Sequence, residues 1–342
     1  MAYSDKPFII PIFIPHAGCQ HRCVFCNQSS ITGIDSKTLK IRVSDHVQRF
    51  LKYKGQRRNV VQVAFFGGNF LGIKADEMRR LLAEAAEWVR AGRADSIRFS
   101  TRPDTIDGYR LNMIKEFPVA TVELGVQSMD DRVLSATRRG HTASDTEKAV
   151  QCLKELNYEI GLQLMVGLPG DTPERLRASA RRVARLKPDF IRIYPTVVLA
   201  DSPLAKWYKN GRYTPLSLVE AVVEVKDIYR IFKHENIRVV RMGLQATEDL
   251  EKDSTILAGP YHAAFGHLVY SSIFLDMAIA ALKFDKANRG TAVFHVHPHS
   301  ISKMRGPENK NISILKERFK LKSVKVIPDA SLDQDKLQIN RF

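Results

Sequence analysis

The sequence predicts an α/β fold, with a sheet of parallel strands joined by helices and a smaller α/β extension behind it. Segments of helical periodicity alternate with six apolar, β-branched runs, and such alternation favours parallel strands joined by right-handed crossovers. The pattern suits either a barrel or an open sheet. The six runs lie at residues 8–14, 60–66, 96–100, 119–126, 159–166 and 189–194.

The segments between the runs carry helix signals. In residues 78–89, apolar side chains recur at helical spacing and predict one buried stripe. Ser144 and Glu147 predict a capping box at the start of a later helix. Thr172 followed by Pro173 predicts an N-cap with proline in the first helical position.

The rhythm changes after the sixth run. Ser217 and Glu220 predict a second capped helix, and a short strand is predicted near 237–242. From position 258 onward the pattern indicates helix, strand, helix and strand. We therefore expect two domains, a core of residues 1–200 and a basic C-terminal extension of residues 201–342.

Length and composition exclude several classes of protein. Apolar residues make up 44% of the 342 residues, enough for a full core, so general disorder is excluded. The apolar N-terminus is broken by prolines and lacks a cleavage pattern, and no uncharged apolar run reaches the roughly 18–20 residues of a membrane span. Four cysteines, three of them within eight residues, do not form a disulfide framework. We expect a cytoplasmic protein without a membrane segment.

The chain is strongly basic. Lys and Arg total 53 against 37 Asp and Glu, which gives a net charge of +16. The excess is concentrated in residues 173–187 and 303–325. This balance predicts an anionic partner, most obviously nucleic acid, although the solvated helix faces of a basic protein would give the same count.

The densest chemical motif is CQHRCVFC, which spans Cys19–Cys26. It follows the first predicted strand, and in β/α barrels the loops at this end of the strands form the catalytic face. A structural zinc needs four closed ligands, and His16 or His21 is the nearby candidate for the fourth. Three thiolates suit instead a 4Fe–4S cluster that leaves one iron open to a ligand from outside the protein.

The spacing C-x3-C-x2-C, with Phe25 before the last cysteine, resembles the signature of radical S-adenosylmethionine (SAM) enzymes. FFGGNF, just past the second strand, is similar to the glycine-rich stretch of that superfamily. The resemblance implies a partial (β/α)6 TIM-type barrel, a 4Fe–4S cluster and SAM as cofactors. It also implies that the backbone of Gly67 and Gly68 approaches the methionyl amino group, where a side chain would obstruct it. The implied metal ligands are Cys19, Cys23 and Cys26.

Five further motifs are similar, in order and spacing, to the radical domain of the Elongator catalytic subunit, whose family modifies the wobble uridine of tRNA. This resemblance covers about residues 8–245 and implies tRNA as a partner. Residues 240–250 and 258–265 are similar to the C-terminal extension of Elongator-like bacterial radical enzymes. The five motifs are STRPDTI (100–106), VELGVQSMDDRVL (122–134), RRGHT (138–142), LMVGLPGDT (164–172) and IRIYPTVVL (191–199).

Two departures separate this sequence from that family. CNQSSITG stands where the Elongator subunit has a Pro-Gly-Gly stretch after its last cysteine, and no Gly-rich pyrophosphate loop follows residue 245. We therefore expect that this chain does not run the complete acetyl-CoA-dependent reaction by itself. Either its radical chemistry has another co-substrate, or a partner supplies the missing half.

Four cofactor contacts are implied by similarity to oxygen-independent coproporphyrinogen oxidases, a related family. Gln127 in GVQS and Arg139 in RRGH match positions that contact the ribose and the carboxylate of the cofactor. Arg suits the second role because its fork pairs bidentately with a carboxylate. Ser100 and Gln163 fall where those enzymes use acidic residues on the ribose hydroxyls.

Four other residues complete the expected site. The resemblance implies that Val166 and Gly167, at the end of the fifth strand, make the backbone contact on the adenine side. Tyr194 ends the sixth strand and is a candidate catalytic residue that donates a hydrogen or positions substrate, and core packing is the alternative. Glu123 is a candidate for a buried carboxylate paired inside the barrel.

Five histidines are less informative. His16 and His21 flank the cysteine motif and either orient substrate or cap the loop, and we favour the second. His295, His297 and His299 alternate, a spacing compatible with a metal site on one strand face, but no carboxylate or cysteine accompanies them.

The resemblance as a whole implies an enzyme that cleaves SAM reductively to a 5′-deoxyadenosyl radical, which abstracts hydrogen from its substrate. A wobble-uridine tRNA is the implied substrate, and a flavodoxin or ferredoxin is the expected electron donor. Two alternatives remain open. In the first, the same radical chemistry acts on a small molecule or a protein. In the second, the chain is a non-catalytic RNA-binding module held together by zinc.

Overall fold

The computed structural model describes residues 7–14, 18–27, 41–55, 60–245, 247, 250–252, 254–284 and 290–340. The described strands are β1 (Phe8–Phe13), β2 (Val61–Phe66), β3 (Ser96–Thr101), β4 (Val119–Gln127), β5 (Glu159–Val166), β6 (Phe190–Pro195), β7 (Val198–Leu199), β8 (Arg238–Met242), β9 (Ile256–Ala258), β10 (Thr291–Val296), β11 (Ser323–Pro328) and β12 (Leu337–Asn340). The described α-helices are α1 (Val43–Leu51), α2 (Ala75–Arg90), α3 (Gly108–Ile114), α4 (Asp131–Ala136), α5 (Ala143–Glu155), α6 (Pro173–Arg185), α7 (Pro203–Lys209), α8 (Leu218–His234), α9 (Phe265–Phe284), α10 (Ile301–Arg305) and α11 (Lys310–Phe319).

The main sheet is a curled, parallel half-barrel with helices between its strands. Its order is β1–β2–β3–β4–β5–β6–β8, and each neighbouring pair is parallel. All six predicted runs are strands of this sheet, which confirms the α/β fold and its barrel form. The short strand predicted near 237–242 is β8, which adds a seventh strand beside β6.

The barrel core lies between the sheet and its surrounding helices. Five of the six residues of β2 are fully buried, as expected for a parallel strand covered on both faces. Phe65, Phe70 and Phe99 stack in a row, with ring centroids 4.8 Å apart at each step. The core continues into α8 and reaches Val269 in α9, whereas the expected division of the chain at residue 200 stays a prediction.

The helix starts show which capping signals were correct. Ser217 and Glu220 form a capping box on α8, and Thr172 caps α6 ahead of Pro173, both as predicted. The box predicted at Ser144 and Glu147 is wrong. α5 begins two residues earlier, where Thr142 and Asp145 exchange the two bonds, because an Asp at the third position serves as well as a Glu.

The C-terminal part is a smaller α/β unit. Its three-stranded sheet has the order β11–β10–β12, with β10 parallel to β11 and antiparallel to β12. α9, α10 and α11 pack on this sheet around a second hydrophobic core that includes Phe274, Phe294 and Met304. This confirms the smaller C-terminal extension expected from the sequence.

One helix bears on the expectation that the chain has no membrane segment. By length and composition alone, Phe265–Lys283 is long and apolar enough to cross a membrane. The same helix joins the two cores, with Val269 in the first and Phe274 in the second. Its Asp276 accepts a 2.7 Å hydrogen bond from Lys226 of α8. The interior helix of a folded domain has this composition because it is covered on several sides.

Candidate functional site

The cysteine loop lies beyond the C-terminal end of β1 and is anchored to two distant segments of the chain. The backbone N–H of Val24 donates to Thr137 (3.0 Å), and the carbonyl of Val24 accepts from Leu204 (2.8 Å). Asn27 donates through Nδ2 to the carbonyl of Ala200 at 2.7 Å. The buried Val24 and the half-buried Phe25 belong to a small hydrophobic cluster with α7. These contacts fix the loop at the catalytic end of the sheet.

Asn69, which directly follows Gly67 and Gly68, ties the cysteine loop to the end of β3. Its Nδ2 donates to the carbonyl of Gly18 at 3.0 Å, directly before Cys19. Its Oδ1 accepts from three donors, and the side chain is only 1% exposed. The donors are Thr101 Oγ1 (2.6 Å), Thr105 Oγ1 (2.9 Å) and the Arg102 N–H (3.0 Å). Sequence reasoning missed Asn69, although its place directly after the glycine pair was the available signal.

The glycines of this site are required by close backbone approach. Gly67 and Gly68 have φ values of 80° and 48°, in the left-handed region that glycine adopts without strain. Gly18 has φ of 71°, and a Cβ added there would lie 2.3 Å from the carbonyl oxygen of Asn69. The cysteine loop therefore approaches, backbone to backbone, the segment that follows the glycine pair.

Arg139 reaches the cysteines from the RRGH loop. Its Nη1 donates to Cys23 Sγ at 3.4 Å, and its Nη2 donates to the carbonyl of Gly125 at 2.6 Å. Burial raises the pKa of the Cys19 thiol, and the nearby Arg139 guanidinium acts in the opposite direction. Gly125 provides the room, because a Cβ there would lie 2.7 Å from Arg139 Nη2. A cation and a thiol 116 positions apart are thus brought together.

Gln127, the last residue of β4, contacts Gln163, which lies within the neighbouring strand β5. Gln163 Nε2 donates to Gln127 Oε1 at 3.1 Å. Gln127 has a positive φ of 67° at a register shift in the ladder, so its side chain leaves the regular strand direction. Ser100, on β3, is half-buried and pairs in register with Glu123. The structure thus brings the two glutamines together and places Ser100 two strands from Gln163.

Glu123 lies inside the barrel between two arginines, as anticipated for a buried, paired carboxylate. Arg98 Nη2 lies 2.7 Å from its Oε1, and Arg192 Nη2 donates to the same oxygen at 3.1 Å. Burial lowers the pKa of Arg98, while Glu123 opposes that shift. Arg192 also donates to the Tyr194 hydroxyl at 3.2 Å. Arg192, itself paired with Glu123, therefore fixes the position of the Tyr194 hydroxyl.

Val166 and Gly167 already use their carbonyl groups within the protein. Thr196 donates its N–H to Val166 at 2.9 Å, and the Tyr213 hydroxyl donates to Gly167 at 2.7 Å. Gly167 has φ of 78°, and a Cβ there would lie 2.9 Å from the Leu216 side chain. Each carbonyl can accept a second bond, so these contacts rigidify the strand end without closing it.

Several buried polar atoms near the cysteines have no well-aligned hydrogen bond within the described residues: Arg139 Nε, Arg102 Nη1 and both ring nitrogens of His141. Burial lowers the pKa of His141 to about 3, and the positive charge of Arg139 adds to this effect. Unmatched buried donors are costly, and they indicate a polar group that binds here. The donor set, with three thiols and two arginines, fits an anionic cluster and a carboxylate-bearing cofactor.

The thiols do not converge as the ligands of a single ion do. Across the described part of the chain, no three His, Cys, Asp or Glu side chains lie close enough together to hold one metal ion. Cysteines that bind separate irons of a cluster need no common centre.

The histidines separate into three cases. His16 lies outside the described residues. The His21 ring packs against the loop that holds the site arginine, since a Cβ at Gly140 would lie 2.3 Å from it. His297 and His299 make an edge-on ring contact with centroids 5.0 Å apart. His295 Nε2 is buried and unmatched among the described residues, and the three alternating histidines form no metal site there.

Comparison with known proteins gives two family matches. The model of the Radical SAM superfamily matches residues 13–183, which is half of the chain, and that of the Radical_SAM C-terminal domain matches residues 188–273. The first match contains all three motif cysteines and most of the candidate site residues.

Curated relatives and a solved structure agree with this. The chain is 27% identical over 58% of its length to a tRNA uridine(34) acetyltransferase of Dehalococcoides mccartyi, covering 50% of that protein. It is 24% identical over 63% of its length to the enzyme of that name from Methanocaldococcus jannaschii, covering 47% of it. The chain therefore spans about half the length of the curated relatives it matches.

The archaeal Methanocaldococcus infernus Elp3 superposes with a TM-score of 0.60 and 21% identity, over 78% of this chain and 62% of that one. At this identity the likeness establishes the fold. Enzymes of the matched superfamily use a 4Fe–4S cluster and SAM. With its half-barrel, its three-cysteine loop and a family match over half of its length, this chain belongs to the radical SAM superfamily.

Proposed function

We propose that this radical SAM enzyme modifies tRNA, and that a uridine at the wobble position is its target. The observation that carries the proposal is the similarity over 58% and 63% of the chain to two proteins named tRNA uridine(34) acetyltransferases. The net charge of +16 supports a polyanionic substrate. The proposal concerns the radical step, and the acyl donor of a complete reaction is no part of it.

Three thiolates hold the cluster in this proposal: Cys19, Cys23 and Cys26. Arg139 beside Cys23 binds the carboxylate of SAM, because its planar fork matches that group. The positive-φ backbone at Gly67 and Gly68 meets the methionyl amino group. Thiolate ligation requires a reducing compartment, which agrees with the expected cytoplasmic location.

The strand ends bind the nucleoside half of SAM. Gln127, joined to Gln163, and Ser100 on β3 supply polar groups for the ribose hydroxyls. Val166 and Gly167 supply the backbone edge for adenine. Because each group sits on a strand end braced by a neighbouring strand, the cofactor would be held with little rearrangement.

Held by these residues, the cluster and SAM would supply one-electron radical chemistry for removing a hydrogen atom from substrate. The protein orients the cofactor and excludes water from the barrel mouth. From the barrel interior, Tyr194 would donate a hydrogen to substrate or position it. Arg192 donates to its oxygen, so the phenolic proton remains available to substrate. A flavodoxin or ferredoxin is the proposed electron donor.

The test is reductive cleavage of SAM by anaerobically reconstituted protein, with dithionite as the reductant. The formation of 5′-deoxyadenosine is measured with and without bulk tRNA. Cys23→Ala removes a proposed cluster ligand. Cys152→Ala is the matched control, since Cys152 lies on α5 and packs against the barrel core.

We expect product that depends on Cys23, does not depend on Cys152, and increases when tRNA is added. Cys23-dependent product that is indifferent to tRNA would contradict the tRNA substrate and favour a small molecule or a protein instead. No product from a fully loaded cluster would contradict the radical reaction itself.

A further inference from the structure

The C-terminal unit contains a helix–turn–helix segment that connects two neighbouring strands of its sheet. The chain runs from β10 through α10, a four-residue turn and α11 into β11. β10 and β11 are parallel and in register from Thr291 and Ser323 to Val296 and Pro328. The turn consists of Gly306, Pro307, Glu308 and Asn309, and it projects from the end of the unit.

Three residues of the turn have positive φ values, and residue types differ in how easily they adopt this conformation. Gly306, Glu308 and Asn309 have φ values of 72°, 50° and 60°. Glycine adopts positive φ freely, and asparagine does so more readily than other residues. Both ends of the turn are therefore occupied by suitable residues, whereas Glu308 is strained.

A buried asparagine locks the turn in place. Asn311 Nδ2 donates to the carbonyls of Ser271 on α9 (2.9 Å) and Met304 on α10 (3.1 Å). A Cβ at Gly306 would lie 2.9 Å from the Asn311 side chain. Because Asn311 holds the turn from inside, the exposed backbone of Pro307, Glu308 and Asn309 is presented outward in a fixed shape.

The surface around the turn is basic and lacks internal partners. Arg305 and Lys310 flank the turn directly, and both are exposed. Within the described residues, no ion pair involves either of these two or any of five further exposed cations on α11, on β11 and between them. The five further cations are Lys316, Arg318, Lys320, Lys322 and Lys325.

An open cavity of about 490 Å³ adjoins the turn. Its lining combines polar and apolar side chains, and Arg305 and Glu308 are its charged members. Arg305, Ser302 and Asn309 offer hydrogen-bond donors to a phosphate or a sugar hydroxyl, next to the apolar Pro298 and Ile301.

We propose that the turn from Gly306 to Asn309, with Arg305 and Lys310, binds the sugar–phosphate backbone of single-stranded RNA. The turn begins with a glycine and joins two helices, and in this it resembles the G-x-x-G turn of KH modules, which clamps about four nucleotides. Here Asn309 stands where that motif has its second glycine, and it has a positive φ of 60°. The inference rests on the proposed RNA substrate and adds the surface that holds it.

Glu308 is the one feature of the turn that opposes an anionic ligand. It faces the cavity and carries a negative charge where a phosphate would approach. This makes a gain-of-function variant available, because Glu308→Lys replaces repulsion with attraction. A tighter complex cannot result from misfolding, so the variant tests the site even where a loss-of-function change would be ambiguous.

The test uses the full chain and a fluorescein-labelled single-stranded RNA of about ten nucleotides, long enough for the clamp of a KH module. Affinity is measured by anisotropy over a series of salt concentrations. The loss variant is the double charge reversal Arg305→Glu/Lys310→Glu. Its matched control is Lys148→Glu/Lys154→Glu, two exposed lysines of α5 on the barrel. Duplex RNA, single-stranded DNA and polyglutamate serve as competitors.

We expect the loss variant to weaken RNA binding at least about tenfold and to reduce the salt slope by about 1.4, since each single-strand phosphate contact contributes about 0.7. Glu308→Lys should tighten binding about threefold, and the control should change it less than twofold. Duplex RNA and polyglutamate should compete poorly.

Equal affinity in the wild type and both turn variants would overturn the inference, even if tRNA stimulates SAM cleavage. Equal competition by polyglutamate or duplex RNA would also overturn it, because the surface would then recognise charge alone. If the turn variants behave as expected while tRNA leaves SAM cleavage unchanged, the RNA surface stands and the proposed tRNA substrate fails.

Discussion

The barrel mouth and the C-terminal unit use the same basic side chains in opposite ways. In the barrel, Arg98 and Arg192 are packed against Glu123, and Arg102 makes a bidentate pair with Asp104. In the C-terminal unit, the exposed cations around the Gly306–Asn309 turn have no ion-pair partner within the described residues. Paired, buried arginines fix geometry, whereas exposed cations without partners attract an external anion.

This comparison has an energetic side. Removing one member of a buried charge network leaves the others uncompensated in a low dielectric, whereas an exposed charge loses little. Substitutions in the barrel network should therefore change stability, and substitutions on the C-terminal surface should change binding. The predictions below test this difference from the largest expected effect to the smallest.

The largest effect is expected at Glu123. Glu123→Gln keeps the shape of the side chain and removes the charge that Arg98 and Arg192 share. We expect the free energy of unfolding to fall by about 3–5 kcal/mol, because two buried guanidinium groups lose their counter-ion. Chemical denaturation measures it, with the exposed Glu317→Gln on α11 as the control. A loss below about 1 kcal/mol would show that water compensates the arginines.

The second effect concerns Asn69 and the cysteine loop. Asn69→Ala leaves the Gly18 carbonyl and three donors without their partner. We expect a loss of about 1–3 kcal/mol in unfolding free energy, and less iron bound per chain after reconstitution.

Asn69→Asp separates these two consequences. It keeps the acceptor for Thr101 and Thr105 but cannot donate to Gly18. Its bound iron per chain should therefore fall as in Asn69→Ala, whereas its unfolding free energy should fall less than in Asn69→Ala. Full iron loading in both variants would contradict a positioning role for Asn69.

A third effect depends on pH. Burial raises the pKa of Asp171 to about 7, and the nearby carboxylates of Asp130 and Glu224 add to the shift. The folded state therefore binds this proton more tightly than the unfolded state, whose pKa is near 3.8. The contribution of the protonated Asp171 carboxyl to the free energy of unfolding is fully present below about pH 4 and is lost as the pH rises towards 7.

Asp171→Asn removes that proton equilibrium and keeps an oxygen for the Thr172 N–H. We expect the variant to match the wild type near pH 4 and to exceed it by about 1–2 kcal/mol above pH 7, a shift reduced by partial solvent access. Unfolding free energies of both proteins across this range measure it. A constant difference at every pH would refute the assignment to Asp171.

The smallest effect is a stabilisation on the C-terminal surface. Lys320 ends α11 with φ of 53° and ψ of 41°, a left-handed conformation that glycine adopts without strain. We expect Lys320→Gly to raise the unfolding free energy by about 1 kcal/mol. SAM cleavage without RNA should stay unchanged. Thermal denaturation measures the gain, and a loss of stability would indicate that the Lys320 side chain has a packing role.

Much of the fold was predictable because its signals are local. Six apolar runs, each separated by a helical segment, became six of the seven strands, and Thr172 and Ser217 became helix caps. The predicted box at Ser144 failed because several polar residues in a row offer competing caps. The choice between them depends on where the helix docks, which a short window of sequence does not contain.

The candidate site was predictable only in part. The cysteines and the glycine pair could be found from spacing, since each motif is contiguous. Asn69, by contrast, has four partners on two other loops, and nothing in the sequence identifies them. α9 shows the same limit, because its length and composition alone would allow a membrane span, whereas its residues contribute to two hydrophobic cores.

By itself, the sequence determined the six main strands and the alternation of helices between them, the three-cysteine loop, the glycine pair behind β2 and the basic C-terminal end. These features can be predicted from periodicity, spacing and charge because they depend on residues that are close together in the chain. Only the tertiary structure decided that Arg139 reaches Cys23, 116 positions away, that Glu123 lies between two arginines, and that the Gly306–Asn309 turn faces outward. Such contacts depend on strand register and helix docking, which are set by the packing of the whole chain.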